Sequence, residues 1–124
     1  MKSSKFRWNK KCAIYIGRFQ PFHQGHKNII IKAIKKYGQV AILVMNSHGI
    51  GKKNPFNYYQ VVRKIRSNLK EYKNSFVVIK IPPIFSAIYG RKVGYKFEKI
   101  KLSKKLESMS ATKIRSGFFN NSFN

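Results

Sequence analysis

The stretch that most constrains this chain is Gly17-Arg18-Phe19-Gln20-Pro21-Phe22-His23-Gln24-Gly25-His26. Two runs of different periodicity bracket it. Upstream, Cys12-Ala13-Ile14-Tyr15-Ile16 is a short continuous apolar run, the pattern of a strand buried in a parallel sheet, with Cys12 expected as a small buried hydrophobe. Downstream, Ile29, Ile30, Ala33, Ile34 and Tyr37 recur at helical spacing. Strand, tight turn and helix in that order place a phosphate at a helix N-terminus in an open α/β sheet. Gly17 is expected to let the backbone turn and a ligand approach closely. The helix opening near Gly25 offers unpaired N–H groups and the positive end of a dipole. His23 and His26, three residues apart, project from the same turn as donors to phosphate oxygens. Two histidines beside a glycine turn also suit a solvated surface, so the weight rests on the whole decapeptide in its context.

The rest of the chain continues the alternation of strand and helix. Helices are expected over about 25–37, with Gly38 as C-cap, and over about 58–72, where Asn57 and Gln60 have capping-box spacing and Val61, Val62, Ile65 and Leu69 form the buried face. Strands are expected over 12–17, 39–45 and 76–81, the last stopped by Pro82-Pro83. A fourth, with one solvated face, is expected over 95–102. This pattern predicts an α/β fold. Its form is a Rossmann-like three-layer sandwich with a parallel sheet of about four to five strands, order about 3-2-1-4, and helices on both faces. A chain of 124 residues suits one compact domain. Residues 1–11 read as a poorly ordered basic lead-in with Phe6 and Trp8 as the residues to pin it, 12–117 as the domain, and 118–124 as an aromatic, Asn-rich tail that packs on the body or joins a partner chain.

A second group of polar residues closes the domain. Ser110-Ala111-Thr112-Lys113-Ile114-Arg115 reads as a helix start. Ser110 and Thr112 are ordinary caps, but Arg115 follows Ser110 by little more than one helical turn, so its guanidinium reaches an anion held at that same terminus. Between the two halves lies the loop 46–56, which carries Ser47-His48 and Asn54-Pro55-Phe56. His48 reads either as part of a loop that closes over a ligand or as a solvated side chain.

Together these stretches resemble the nucleotidyltransferase superfamily with its cytidylyltransferase-like fold. Gly17–His26 resembles the first signature, Ser-x-Thr-x-x-Arg at 110–115 the second, and Ser47-His48 with Asn54-Pro55-Phe56 a loop found in relatives. The first motif is most similar to that of archaeal-type nicotinamide-mononucleotide adenylyltransferases and their bacterial and phage relatives. The resemblance spans most of residues 12–117. It implies attack of an acceptor phosphate, that of nicotinamide mononucleotide in those enzymes, on the α-phosphorus of ATP, with pyrophosphate leaving. It further implies catalytic roles for His23, His26 and Arg115. Nucleotide binding would fall to Gly17, Arg18, Phe19, Gln20, Gly25, Ser110, Thr112, Asn54 and His48. Mg²⁺ would be held mainly by the nucleotide phosphates, with no protein metal ligand. The stretch from 84 to 109 is too short for the family's usual additional strand–helix unit together with the fourth strand, and Asn57-Tyr58-Tyr59-Gln60-Val61 lacks the Arg of the Thr-Ala-Gly-Glu-Arg that some relatives have there. The acceptor therefore stays open. A cytidylyltransferase for a phosphorylated alcohol, or a truncated nucleotide- or nucleic-acid-binding module, are the alternatives.

Composition bears on partners. The chain has 27 Lys and Arg against three Asp and Glu, a net charge of +24, and no Asp at all. Such a charge either binds nucleic acid and gathers anionic nucleotides or reflects a bias toward Lys, Asn, Ile, Phe and Tyr. The lysines are spread along the chain, which favours the bias; Tyr58-Tyr59 and Phe118-Phe119 are the aromatic pairs available for stacking on bases. One cysteine excludes an internal disulfide. No apolar run has the length of a membrane span or of a signal-peptide core, so a cytoplasmic protein with no membrane partner, alone or as a homo-oligomer, is the expectation.

Overall fold

In the computed structural model, residues 5–49, 53–91 and 94–100 are described. Three strands and two helices alternate: β1 (Ala13–Gly17), α1 (Gln24–Tyr37), β2 (Val40–Met45), α2 (Tyr58–Asn68) and β3 (Phe76–Ile81), with a 3₁₀ turn at Lys70–Tyr72 after α2. All strand pairs are parallel, in the order β1-β2-β3. Ala13 stands opposite Val40 and Val40 opposite Phe76, so Ala13, Tyr15, Val40, Ile42, Val44, Phe76 and Val78 share one face.

Both helices pack on that face. Ile30, Ala33 and Ile34 of α1 and Val61 and Ile65 of α2, with Leu69 just beyond, form one buried cluster with Val40, Ile42 and Val44. Two crossovers of the same hand that step in the same direction put both helices on one side. Among the described residues the architecture thus has two layers where three were expected. The other face, with Ile14, Ile16, Leu43, Val77 and Ile79, is only partly covered, and Ile14 is 60% exposed.

The helix caps follow from the sequence. Asn57 Oδ1 accepts from the Gln60 N–H and Gln60 Oε1 accepts from the Asn57 N–H, closing the expected capping box of α2. Gly38, at φ 90°, ends α1 in a conformation that a side chain would disfavour. The α2 helix stops earlier than expected, and the 3₁₀ turn takes up its last residues.

Three other expectations change. Residues 95–100 form no strand, and 101–102 lie outside the described residues. Glu98 instead pairs with Lys36 and accepts from the Tyr37 hydroxyl, which ties this segment to the end of α1. Its period-two pattern has no neighbouring strand to bury it: Phe97 is 85% exposed. Among the described residues, β1 therefore forms an edge of the sheet. Cys12 precedes β1 and is exposed, because the strand begins one residue later than its apolar run. The basic lead-in is held in place over Arg7–Lys11. The buried Gln39 amide accepts from the Arg7 N–H and donates toward the carbonyls of Arg7, Lys10 and Lys11. No helix among the described residues is long and apolar enough to cross a membrane.

Candidate functional site

Parallel strands bring residues 18–23 and, after β2, residues 46–49 and 53–57 to the same edge of the sheet, the C-terminal one, where open α/β sheets bind ligands. The first loop is shaped by close packing. A Cβ at Gly17 would lie 2.8 and 2.9 Å from ring atoms of Phe19. The buried Phe19 ring thus requires the glycine, and the residue of this turn with a positive φ is Phe19, at 53°. The Gln20–Pro21 bond is cis.

Gln20 is buried and joins the two loops. Its Nε2 donates to the Phe56 carbonyl and its Oε1 accepts from the Phe56 N–H, both at 2.8 Å. Its side chain is therefore committed to the backbone, which leaves the loop's N–H groups as the part of Gln20 able to face a ligand. Nothing in the periodicity of the sequence announced this clasp; a lone amide inside Phe19-Gln20-Pro21-Phe22 was the available signal.

His23 and His26 build the helix N-terminus itself. His23 is the N-cap, and its Nδ1 accepts from the Gly25 N–H at 3.0 Å. His26 occupies the third helical position, and its Nδ1 accepts from the His23 N–H at 3.1 Å. This is a capping box made of two imidazoles in place of Ser and Glu. The rings stack with centroids 3.7 Å apart. With Nδ1 accepting in each ring, the neutral tautomer carries its proton on Nε2. Each histidine thus has one N–H left to donate, next to a helix terminus with no acidic residue in its first turn.

The electrostatics keep both rings neutral. Burial, and secondarily the neighbouring His23, push the His26 imidazole down to about 3. Burial and then the charge of Lys64 hold His23 below the ordinary histidine value. His26 lies against Phe19 at 4.9 Å and Phe22 at 5.5 Å between ring centroids, with Tyr15 beyond. Burial raises the Tyr15 phenol to about 12. Beside this cluster a cavity of about 180 Å³ is lined by Phe19, Pro21, Phe22, Phe56 and Lys64, among others. Lys64 was missed in the sequence because it reads as one solvated lysine among many; its place on α2 facing His23 emerges only from the fold.

The structure gathers Gly17, Phe19, Gln20, His23, Gly25 and His26 into one loop-and-helix start. Arg18 is exposed on that loop. Asn54 is buried beside the Phe56 clasp, and its carbonyl accepts from the Gly49 N–H. His48 is exposed on the loop after β2. Ser47, at 3% exposure, has a buried Oγ with no hydrogen-bond partner among the described residues. Ser110, Thr112 and Arg115 lie outside the described residues.

Comparison with known proteins adds two findings. Residues 14–82 match the family model described as cytidylyltransferase-like. The chain is also similar to a nicotinamide-nucleotide adenylyltransferase of Sulfurisphaera tokodaii, 36% identical over 78 residues covering 60% of this chain and 44% of that protein. It is 36% identical over 69 residues to a phosphopantetheine adenylyltransferase of Mycoplasma capricolum, covering 56% of this chain and 48% of the relative. A nicotinamide-nucleotide adenylyltransferase of Methanococcus aeolicus is 29% identical over 137 aligned positions, covering 88% and 78%. The chain thus matches a little under half the length of the first two relatives.

Proposed function

The chain belongs to the cytidylyltransferase-like family, and from that premise we propose that it transfers AMP from ATP to a phosphate-bearing acceptor, with pyrophosphate as leaving group. The observation that carries this reading is the reciprocal His23–His26 cap, which leaves two Nε2–H donors beside an electropositive helix start. Both rings are neutral before the nucleotide arrives, so each offers a donor without the desolvation cost of a buried cation. Donation to an ionised phosphate is charge-assisted, and it strengthens as charge builds on the departing pyrophosphate. Lys64 adds positive charge from α2, with Arg18 and the backbone of Phe19 and Gln20 facing the phosphates. Arg115 with Ser110 and Thr112 would hold the outer phosphates, and Asn54 and His48 would close the nucleotide side. Mg²⁺ enters as part of the substrate, on the nucleotide phosphates. The protein's contribution is positioning and charge stabilisation, with no covalent enzyme intermediate.

Nicotinamide mononucleotide is the acceptor we propose, on the first motif and on the relatives from Sulfurisphaera and Methanococcus. Phosphopantetheine is the second reading, favoured by the Mycoplasma relative. Incubation with Mg²⁺ and ATP or CTP, with each acceptor in turn and a pyrophosphate readout, tests both. Release that needs ATP and nicotinamide mononucleotide is expected. Release with phosphopantetheine alone would transfer the assignment to that acceptor, and no release with either would overturn adenylyl transfer. In the active combination, wild-type turnover in Arg115→Ala would remove Arg115 from the site.

A further inference from the structure

On the side of α2 away from the histidines, Tyr59, Arg63, Arg66, Lys70 and Lys73 succeed one another at i, i+4, i+7, i+11 and i+14. That spacing draws a straight stripe along one helix face and its 3₁₀ extension. The stripe forms one wall of an open groove of about 880 Å³ whose other wall includes Phe76 and Val77 of β3. All five stripe side chains are exposed, and none of the four cations makes an ion pair among the described residues. Glu71, the one acid on this stretch, does not line the groove.

A bias toward lysine accounts for scattered lysines. It does not account for two of the chain's six arginines standing three residues apart on this wall. Arginine presents a planar fork that matches phosphate oxygens in pairs. Arg63 to Lys73 spans about 15 Å along the helix, so the four cations face a row of anions and not one point. At the head of the row Tyr59 is 72% exposed, and its ring meets Tyr58 edge-on at 5.6 Å, which steadies it and leaves it open to stacking.

We propose that this groove binds single-stranded nucleic acid, with the phosphates along Arg63, Arg66, Lys70 and Lys73 and a base on Tyr59. A cationic track with an aromatic platform is how sequence-tolerant single-strand binders are built. A concave groove with its cations on one wall suits a strand better than a flat lipid surface. The site lies on a different face of α2 from Lys64 and does not depend on the adenylyl-transfer reading.

The test is binding of a short labelled oligouridylate across salt from about 50 to about 200 mM. Four phosphate contacts give a slope of log K against log salt of about −2.8, hence about a 50-fold loss over that range. Arg63→Gln with Arg66→Gln should flatten the slope by about 1.4. Tyr59→Ala should weaken binding about tenfold or more with the slope unchanged. The control removes the same charge elsewhere, by Lys10→Gln with Lys35→Gln, and should leave the slope near that of the wild type. Thermal melts of each variant establish that folding is intact. Equal flattening in the control would mean attraction by net charge alone and would overturn the proposal. So would binding to vesicles of anionic lipid through the same arginines without binding to the oligouridylate.

Discussion

His23 and His26 each use Nδ1 to cap the backbone of the turn that carries the other, so the two rings are fixed as a stacked pair before any ligand is bound. The arrangement joins folding to chemistry. The atoms that hold the helix start are Nδ1, and the atoms left for a ligand are Nε2. Replacing either ring therefore disturbs both, and His26→Ala should lose stability as well as turnover. The loss of its capping acceptor alone costs about 0.5–2 kcal/mol.

The same pair should make stability depend on pH. In the unfolded chain His26 takes up a proton near 6.5; in the folded chain it does so only near 3. Between those values the unfolded state binds more protons, so stability is full above about 6.5 and falls as the pH is lowered toward 3. Melting temperatures from pH 7 to pH 4 should decline in the wild type. His26→Asn keeps a side-chain acceptor for the His23 N–H and removes the titration, so its decline should be shallower. An equal decline would show that His26 is not the group responsible.

Gly17→Ala should destabilise the protein although the φ of Gly17 is not positive. The new methyl group would press on the buried Phe19 ring, which is the body of an aromatic side chain and cannot swing aside as a flexible tip would. Overpacking of this kind costs about 1–3 kcal/mol. The midpoint of urea unfolding measures it, and an unchanged midpoint would mean that the loop relaxes freely around position 17.

The Gln20 clasp gives a fourth prediction. Gln20→Glu retains the shape and the acceptor for the Phe56 N–H, but sets a carboxylate oxygen against the Phe56 carbonyl. The buried pairing is lost at a cost of about 1–3 kcal/mol. Amide exchange at Phe56 should accelerate more than exchange in the β2 strand, because the variant opens the loop and not the sheet. Uniform acceleration would show that the clasp stabilises the whole fold and not the loop.

How much could be read from the chain depended on whether the information was local. The three strands, both helices and the Asn57–Gln60 box rest on short-range patterns, and the structure carries them with shifts of one residue at the starts of β1, α1 and β2. The α2 end was less legible, because helix and 3₁₀ turn share the same apolar spacing up to Leu69. The segment 95–100 misled because alternation only states what a strand would bury; the pairing of Glu98 with Lys36 and Tyr37 joins residues about sixty positions apart. At the site, the two histidines were visible as donors, but not that they cap each other, since that depends on which nitrogen faces the backbone. Phe19, Gln20 and Lys64 act through contacts that only the folded loop creates.

Lys64 and His23 supply the last prediction. Burial is the larger cause that holds the His23 imidazole below its ordinary value, and the charge of Lys64 is the second. Lys64→Gln removes the second and leaves the first. The pKa of His23, followed by NMR through the ring proton between the two nitrogens, should therefore rise toward 6.5 without reaching it. Salt should raise it in the wild type, because the lysine is exposed and its field is screened, and should raise it less in the variant. If ATP binds at this helix start, the same substitution should raise the KM for ATP more than it lowers kcat, because a charge already present in the ground state binds substrate and transition state alike. A His23 pKa that does not move in Lys64→Gln would show that the lysine faces solvent, and its place beside the phosphates would have to be given up.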